Sequence, residues 1–164
     1  MSALDAPTPS QTVGPFFSLG LCVRPSAEIV PPGTAGAVEL VGRVFDGAGE
    51  PVSDAMLEIR HADADGHYRR DFGWGRDGTD PDGSFRFVTV LPGTGHVWCY
   101  VFARGLLKPV LTRFHFPGGE ASDPLLSLLG PDERRRLTVV PEGPSRYRID
   151  VHLQGELQTP FFAP

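Results

Sequence analysis

An all-β chain folded as an antiparallel β-sandwich is the architecture this sequence predicts, and three observations carry that reading. The chain has 164 residues with 40% hydrophobic side chains, enough for one core and too few for two independent domains. Its 20 glycines and 17 prolines punctuate short runs rich in Val, Leu, Phe and Thr, the composition of many strands joined by tight turns. Alternating apolar positions recur within those runs, while strong helix formers are sparse.

The elements follow in order. Residues 1–36, rich in Pro, Gly, Ser and Thr and without a sustained period, read as an extended N-terminal arm, leaving 37–164 for the sandwich. Pro15-Phe16-Phe17 and Leu19 to Val23 require cover, on this domain or on a partner, because exposed apolar surface costs about 25 cal/mol per Å². Strands are expected over Val38–Phe45 and Ala55–His61, with Asp46-Gly47-Ala48-Gly49 as a turn between them. Asp80-Pro81-Asp82-Gly83 turns the chain into a strand over Ser84–Val90, which Pro92-Gly93 ends. His96–Ala103 is apolar nearly throughout and reads as a central strand buried on both faces, with Val110–Phe116 as its neighbour. A short helical insert follows, capped by Ser122 or Asp123 before Pro124, stopped at Gly130 and restarted at Pro131. Leu137–Val140 and Arg146–Leu153 complete the strand set.

Charge and motif content exclude several function classes. A net charge of -5 repels polyanions, so nucleic acid and anionic membranes are poor partners. Arg134-Arg135-Arg136 follows Asp132 and Glu133, an order that suits the dipole of a solvated helix. Two cysteines, Cys22 and Cys99, are too few for a disulfide scaffold, and a reducing cytoplasm is the expected location. Neither a signal peptide nor a membrane span is expected. The acidic stretch His61 to Gly66 fails the calcium-loop frame and reads as a hairpin turn. The five histidines fit none of the common zinc spacings, and nucleophile-elbow, phosphate-loop and dinucleotide motifs are lacking.

What remains is an ordered string of features: Thr8-Pro9-Ser10-Gln11-Thr12-Val13-Gly14-Pro15, then Ala62-Asp63-Ala64-Asp65-Gly66-His67-Tyr68, Asp80-Pro81-Asp82-Gly83, Phe102-Ala103-Arg104-Gly105-Leu106, and Arg148-Ile149-Asp150-Val151-His152-Leu153-Gln154-Gly155. In order and spacing this string resembles the intradiol ring-cleavage dioxygenases over nearly the whole chain, and within them the α-type subunit of the two-subunit members.

The resemblance implies a non-haem ferric site of two tyrosines and two histidines, the histidines forming H-x-H on one strand. Tyr68 falls at the first tyrosine position and His96 at the first histidine position, but Trp98 stands at the second histidine position, and its indole N–H donates and does not ligate. No tyrosine lies between Pro92-Gly93 and His96, where the second phenol belongs. The expectation is therefore that Tyr68, His96 and Trp98 mark a vestigial site, that this chain holds no metal and supplies no catalytic residue, and that Fe(III) resides in a homologous β subunit of an αβ hetero-oligomer.

By the same resemblance the arm reaches over that partner, with Thr12, Gly14, Pro15 and Phe16 bordering its substrate pocket. Arg104 is expected to point toward the same pocket, where a guanidinium suits a carboxylated catechol such as protocatechuate; a structural ion pair is the alternative. The implied reaction is O2-dependent intradiol opening to a carboxy-muconate in aromatic catabolism. Two other readings stand beside it: a stand-alone β-sandwich binding module without activity, and an independently active small intradiol enzyme.

Overall fold

The computed structural model describes residue 14 and residues 20–22, 26–119 and 123–163. Its strands are β1 (Ala37–Phe45), β2 (Met56–Arg60), β3 (Trp74–Gly78), β4 (Ser84–Val90), β5 (His96–Phe102), β6 (Val110–His115), β7 (Val140–Gly143), β8 (Arg146–Arg148) and β9 (Val151–His152). A 3₁₀ turn, Pro124–Leu128, and helix α1, Pro131–Leu137, lie between β6 and β7.

Two sheets form the sandwich. One runs β4-β1-β8-β7, with β9 also on β1; the other runs β3-β2-β5-β6. The pairs of the second sheet are antiparallel, whereas β1 pairs with both β8 and β9 in parallel, so the first sheet is mixed. Alternation places Leu40, Val44, Phe85 and Phe87 of one sheet against Leu57, Ile59, Val97, Val101 and Phe114 of the other, in one continuous core.

Close backbone approach explains one glycine in β1. A Cβ at Gly42 would lie 1.7 Å from the Ile149 carbonyl oxygen, so only glycine lets the segment between β8 and β9 cross β1 there. The arm's last residues belong to the sandwich. Ile29 N–H donates to the Val88 carbonyl at 2.8 Å, Val88 N–H to Ala27 at 2.9 Å, and Arg76 N–H to Ser26 at 3.1 Å, so residues 26–30 link the edge strands β4 and β3.

Four local expectations change. A strand, β3, forms at Trp74–Gly78, where the sequence signals none. Leu137 ends α1, buried, and the strand after it begins only at Val140. Arg146–Leu153 splits into β8 and β9 around Ile149-Asp150. β5 is buried on one face: Val97, Cys99 and Val101 face the core, while His96, Trp98 and Tyr100 form a half-buried outer face. The acidic stretch is the expected turn, with Asp63 Oδ1 accepting from the N–H groups of Asp65 and His67. The insert is capped by Asp123, whose Oδ1 accepts from Leu125 N–H at 3.0 Å.

Candidate functional site

The outer face of β5 and β6 carries the chemistry. In the antiparallel register His96 opposes His115 and Trp98 opposes Arg113, so four side chains that alternate on two strands share one face. The helical insert covers that face: His115 bridges Thr138 through the backbone, and Asp123 comes in over Arg113 and His115. Near the C-terminus Phe162 closes one side, edge-on to Trp98 at 6.4 Å. The turn into His96 is fastened by Gly95, at φ +73°, where a Cβ would meet Gly119 Cα at 2.4 Å.

Arg113 ion-pairs with Asp123 Oδ2, the two side chains 9% and 4% exposed, and its Cζ lies 3.6 Å from the Trp98 ring centroid. His115 is fully buried, its Nε2 3.5 Å from Asp123 Oδ2, and its ring centroid is 5.7 Å from that of His96. His96 donates through Nδ1 to the Thr94 carbonyl at 3.1 Å, which leaves Nε2 with its lone pair.

Burial sets the charge states. Desolvation pushes the His115 imidazole down to about 4, against the opposing pull of Asp123. Burial, with Arg113 nearby, lowers His96 as well. For Asp123 burial acts to raise the carboxyl, but hydrogen bonds from Arg113 and Leu125 outweigh it and hold the group below its usual range. At neutral pH the site therefore contains two neutral imidazoles, one carboxylate and one guanidinium.

The residues singled out in the sequence divide. His96 and Trp98 sit together, ring edge to face at 6.2 Å. Tyr68 lies on the β2–β3 loop and is 48% exposed; that loop is tied to the turn before His96 by Gly93 N–H donating to the Asp63 carbonyl at 2.8 Å. Arg104 pairs through Nε with Asp54 and is 64% exposed. Gly14 is exposed, and Thr12, Pro15 and Phe16 lie outside the described residues. Arg113, His115 and Asp123 are the members that sequence reasoning missed. The signal was the pairing of the expected strands 96–103 and 110–116, which sets His115 opposite His96.

Ferric iron of the implied kind does not fit these donors. The resemblance puts one phenol, Tyr68, and one imidazole, His96, at ligand positions, against the two of each that balance hard Fe(III) in that set, and the Trp98 indole has no lone pair to give.

Comparison with known proteins gives the family. A dioxygenase family model matches residues 23–135. The chain is 40% identical to the protocatechuate 3,4-dioxygenase alpha chain of Burkholderia cepacia, across 94% of its own length and 96% of that relative's. The beta chain from the same organism is 29% identical, across 75% of this chain and 66% of that one. The dioxygenase domain of a dioxygenase carbohydrate-binding protein fusion from Streptomyces sp. SirexAA-E superposes with a TM-score of 0.64 at 28% identity, covering 92% and 99% of the two chains. Sandwich and whole-length kinship converge: this chain belongs to the intradiol ring-cleavage dioxygenase family.

Proposed function

We propose that this chain is the α subunit of an αβ protocatechuate 3,4-dioxygenase, the subunit without ferric iron. The observation that carries the reading is the side chain at position 98. By the family resemblance an imidazole ligand belongs at this position, and here an indole is stacked on the Arg113 guanidinium, in a chain whose whole-length similarity is to an alpha chain. The ferric centre then belongs to a homologous β subunit, and the reaction is O2-dependent cleavage of protocatechuate between its two hydroxylated carbons to a carboxy-muconate, in cytoplasmic aromatic catabolism.

The contribution of this chain is shape, charge and exclusion of water. In this reading the 1–36 arm, anchored on this chain's own sheets at residues 26–30, reaches over the partner through its earlier residues, with Thr12, Gly14, Pro15 and Phe16 along the substrate pocket. Gly14 lacks a side chain and Pro15 an N–H, a combination that lets backbone approach a flat aromatic ring. Arg104, held by Asp54, is exposed enough to turn toward a substrate carboxylate across the interface. Exposed Leu128, Val140 and Leu157 supply apolar surface for assembly. Among the described residues no helix is long and apolar enough to cross a membrane.

A stand-alone aromatic-binding module draws less support. A cleft of about 450 Å³ on the β1–β4 sheet is lined by Arg43, Arg86, Arg146 and Arg148, each paired with a carboxylate, a poor lining for an apolar ring. Co-expression with a β chain and an oxygen-uptake assay on protocatechuate tests the proposal. Activity is expected only when both chains co-purify; a fully active β chain alone removes the role assigned here.

A further inference from the structure

We propose that His96, His115 and Asp123 form a binding site for one divalent cation of the zinc type, with Arg113 as the built-in competitor for it. The site differs from the ferric set implied by family resemblance, sharing only His96 with it.

The first support is geometric. One ligand atom from each of the three residues lies within 4.8 Å of the other two. Around tetrahedral zinc, with bonds of about 2.0–2.1 Å, neighbouring ligand atoms stand about 3.3 Å apart. His115 Nε2 and Asp123 Oδ2, at 3.5 Å, already have that spacing, so a small rotation of His96 closes the set.

The second support is independent of the cluster's shape. His115 is fully buried, and among the described residues neither ring nitrogen has a hydrogen-bond partner. A buried imidazole without a partner is rare, and one aimed at a second imidazole and a carboxylate is completed by a cation. The remaining features suit a ligand set. His96 is oriented by its Nδ1–H on the Thr94 carbonyl, the outer contact that metal-bound histidines use, and it is partly exposed, which gives the ion a way in. Two neutral imidazoles and one carboxylate suit Zn²⁺ or Co²⁺ and leave a fourth position for water.

Arg113 competes with a cation for the carboxylate of the set. Its Nη1 takes the same Asp123 oxygen that faces His115, while its Nε lacks a partner among the described residues. A metal ion must displace that contact, moving the guanidinium along the Trp98 face toward solvent. Affinity is therefore modest in the native chain and rises when the competitor is removed. None of the familiar zinc spacings finds this site, because two ligands meet through strand register and the third arrives on the insert.

Titration of the chelator-treated full chain with Co²⁺ tests the proposal. Visible d–d absorption of low-coordinate Co²⁺ is expected, saturating at one equivalent and abolished by Zn²⁺. His115→Ala abolishes the signal, and Arg113→Met tightens binding about tenfold or more through loss of a neighbouring positive charge. His67→Ala leaves it intact, which separates the site from the exposed Asp63–Asp65–His67 group. Absence of saturable Co²⁺ binding by the native chain overturns the proposal, as does a signal that survives His115→Ala or disappears with His67→Ala. The αβ assay above is independent of this result, so each reading fails separately.

Discussion

Asp123→Asn isolates the buried charge pair from everything else that Asp123 does. Asparagine caps a helix as well as aspartate, so the hydrogen bond from Leu125 N–H is retained and only the charge is lost. What remains is the Arg113 guanidinium, 9% exposed, over Trp98 and beside two neutral imidazoles. Stripping a buried ion of its partner costs about 3–5 kcal/mol, and the lower end applies because Arg113 lies near the surface. For a chain of this size about 3 kcal/mol corresponds to a Tm lower by roughly 6–12 °C. Urea and thermal unfolding of the purified chain at neutral pH measure it. The double variant Arg113→Met/Asp123→Asn keeps the cap and is expected to recover most of the loss, since no uncompensated charge is left. A loss below about 1 kcal/mol for Asp123→Asn, or a double variant no more stable than either single one, refutes the claim that this pair is buried and coupled.

Other consequences are equally direct. His115 titrates near 4 when folded and near 6.5 when unfolded, so the unfolded chain binds the extra proton first; stability is full above pH 6.5 and falls as pH drops toward 4, by at most about 3 kcal/mol. His115→Leu should flatten that slope in urea titrations across this range, and an unchanged slope assigns it to other groups. Gly42→Ala should cost about 3 kcal/mol or more, because its Cβ meets a backbone carbonyl that cannot swing aside; a shift under about 1 kcal/mol in chemical denaturation contradicts that approach. Trp98→His alone should leave the chain colourless after Fe(III) loading, since it restores an imidazole but not the second phenolate; a tyrosinate-to-iron charge-transfer band would show the donor count to be wrong.

Strands with alternation bounded by turn residues were legible: β1, β2, β4, β5 and β6 lie where the pattern places them. β3 was not, since Trp-Gly-Arg-Asp-Gly has neither alternation nor β-branched residues. Its stability comes from tertiary contacts, with Arg76 paired to Glu58 across β2 and its N–H taken by Ser26. The parallel pairing of β8 and β9 with β1 was equally hidden, because it joins residues about a hundred positions apart and leaves no local trace. The apolar run over β5 misled about burial for a different reason. Tyr100 and Trp98 count as apolar in a run, yet they form a half-covered outer face that only the insert and the C-terminal segment complete.

The candidate site was legible by subtraction and illegible by construction. An indole at position 98 can be read from sequence, and it argues that the ferric donors are incomplete. What occupies the space cannot be read that way, because Arg113 and His115 acquire meaning only through register with Trp98 and His96, and Asp123 looks like an ordinary helix cap. One carboxylate does both jobs: Oδ1 starts the insert and Oδ2 holds Arg113. The insert is thus fastened over the outer face of β5 and β6 by a charge it supplies itself. Loss of that charge should therefore loosen the insert as well as the ion pair, and hydrogen exchange on Asp123→Asn checks it. Faster exchange confined to residues 124–139 is expected; uniform acceleration across both sheets would mean that the insert and the sandwich open as one unit.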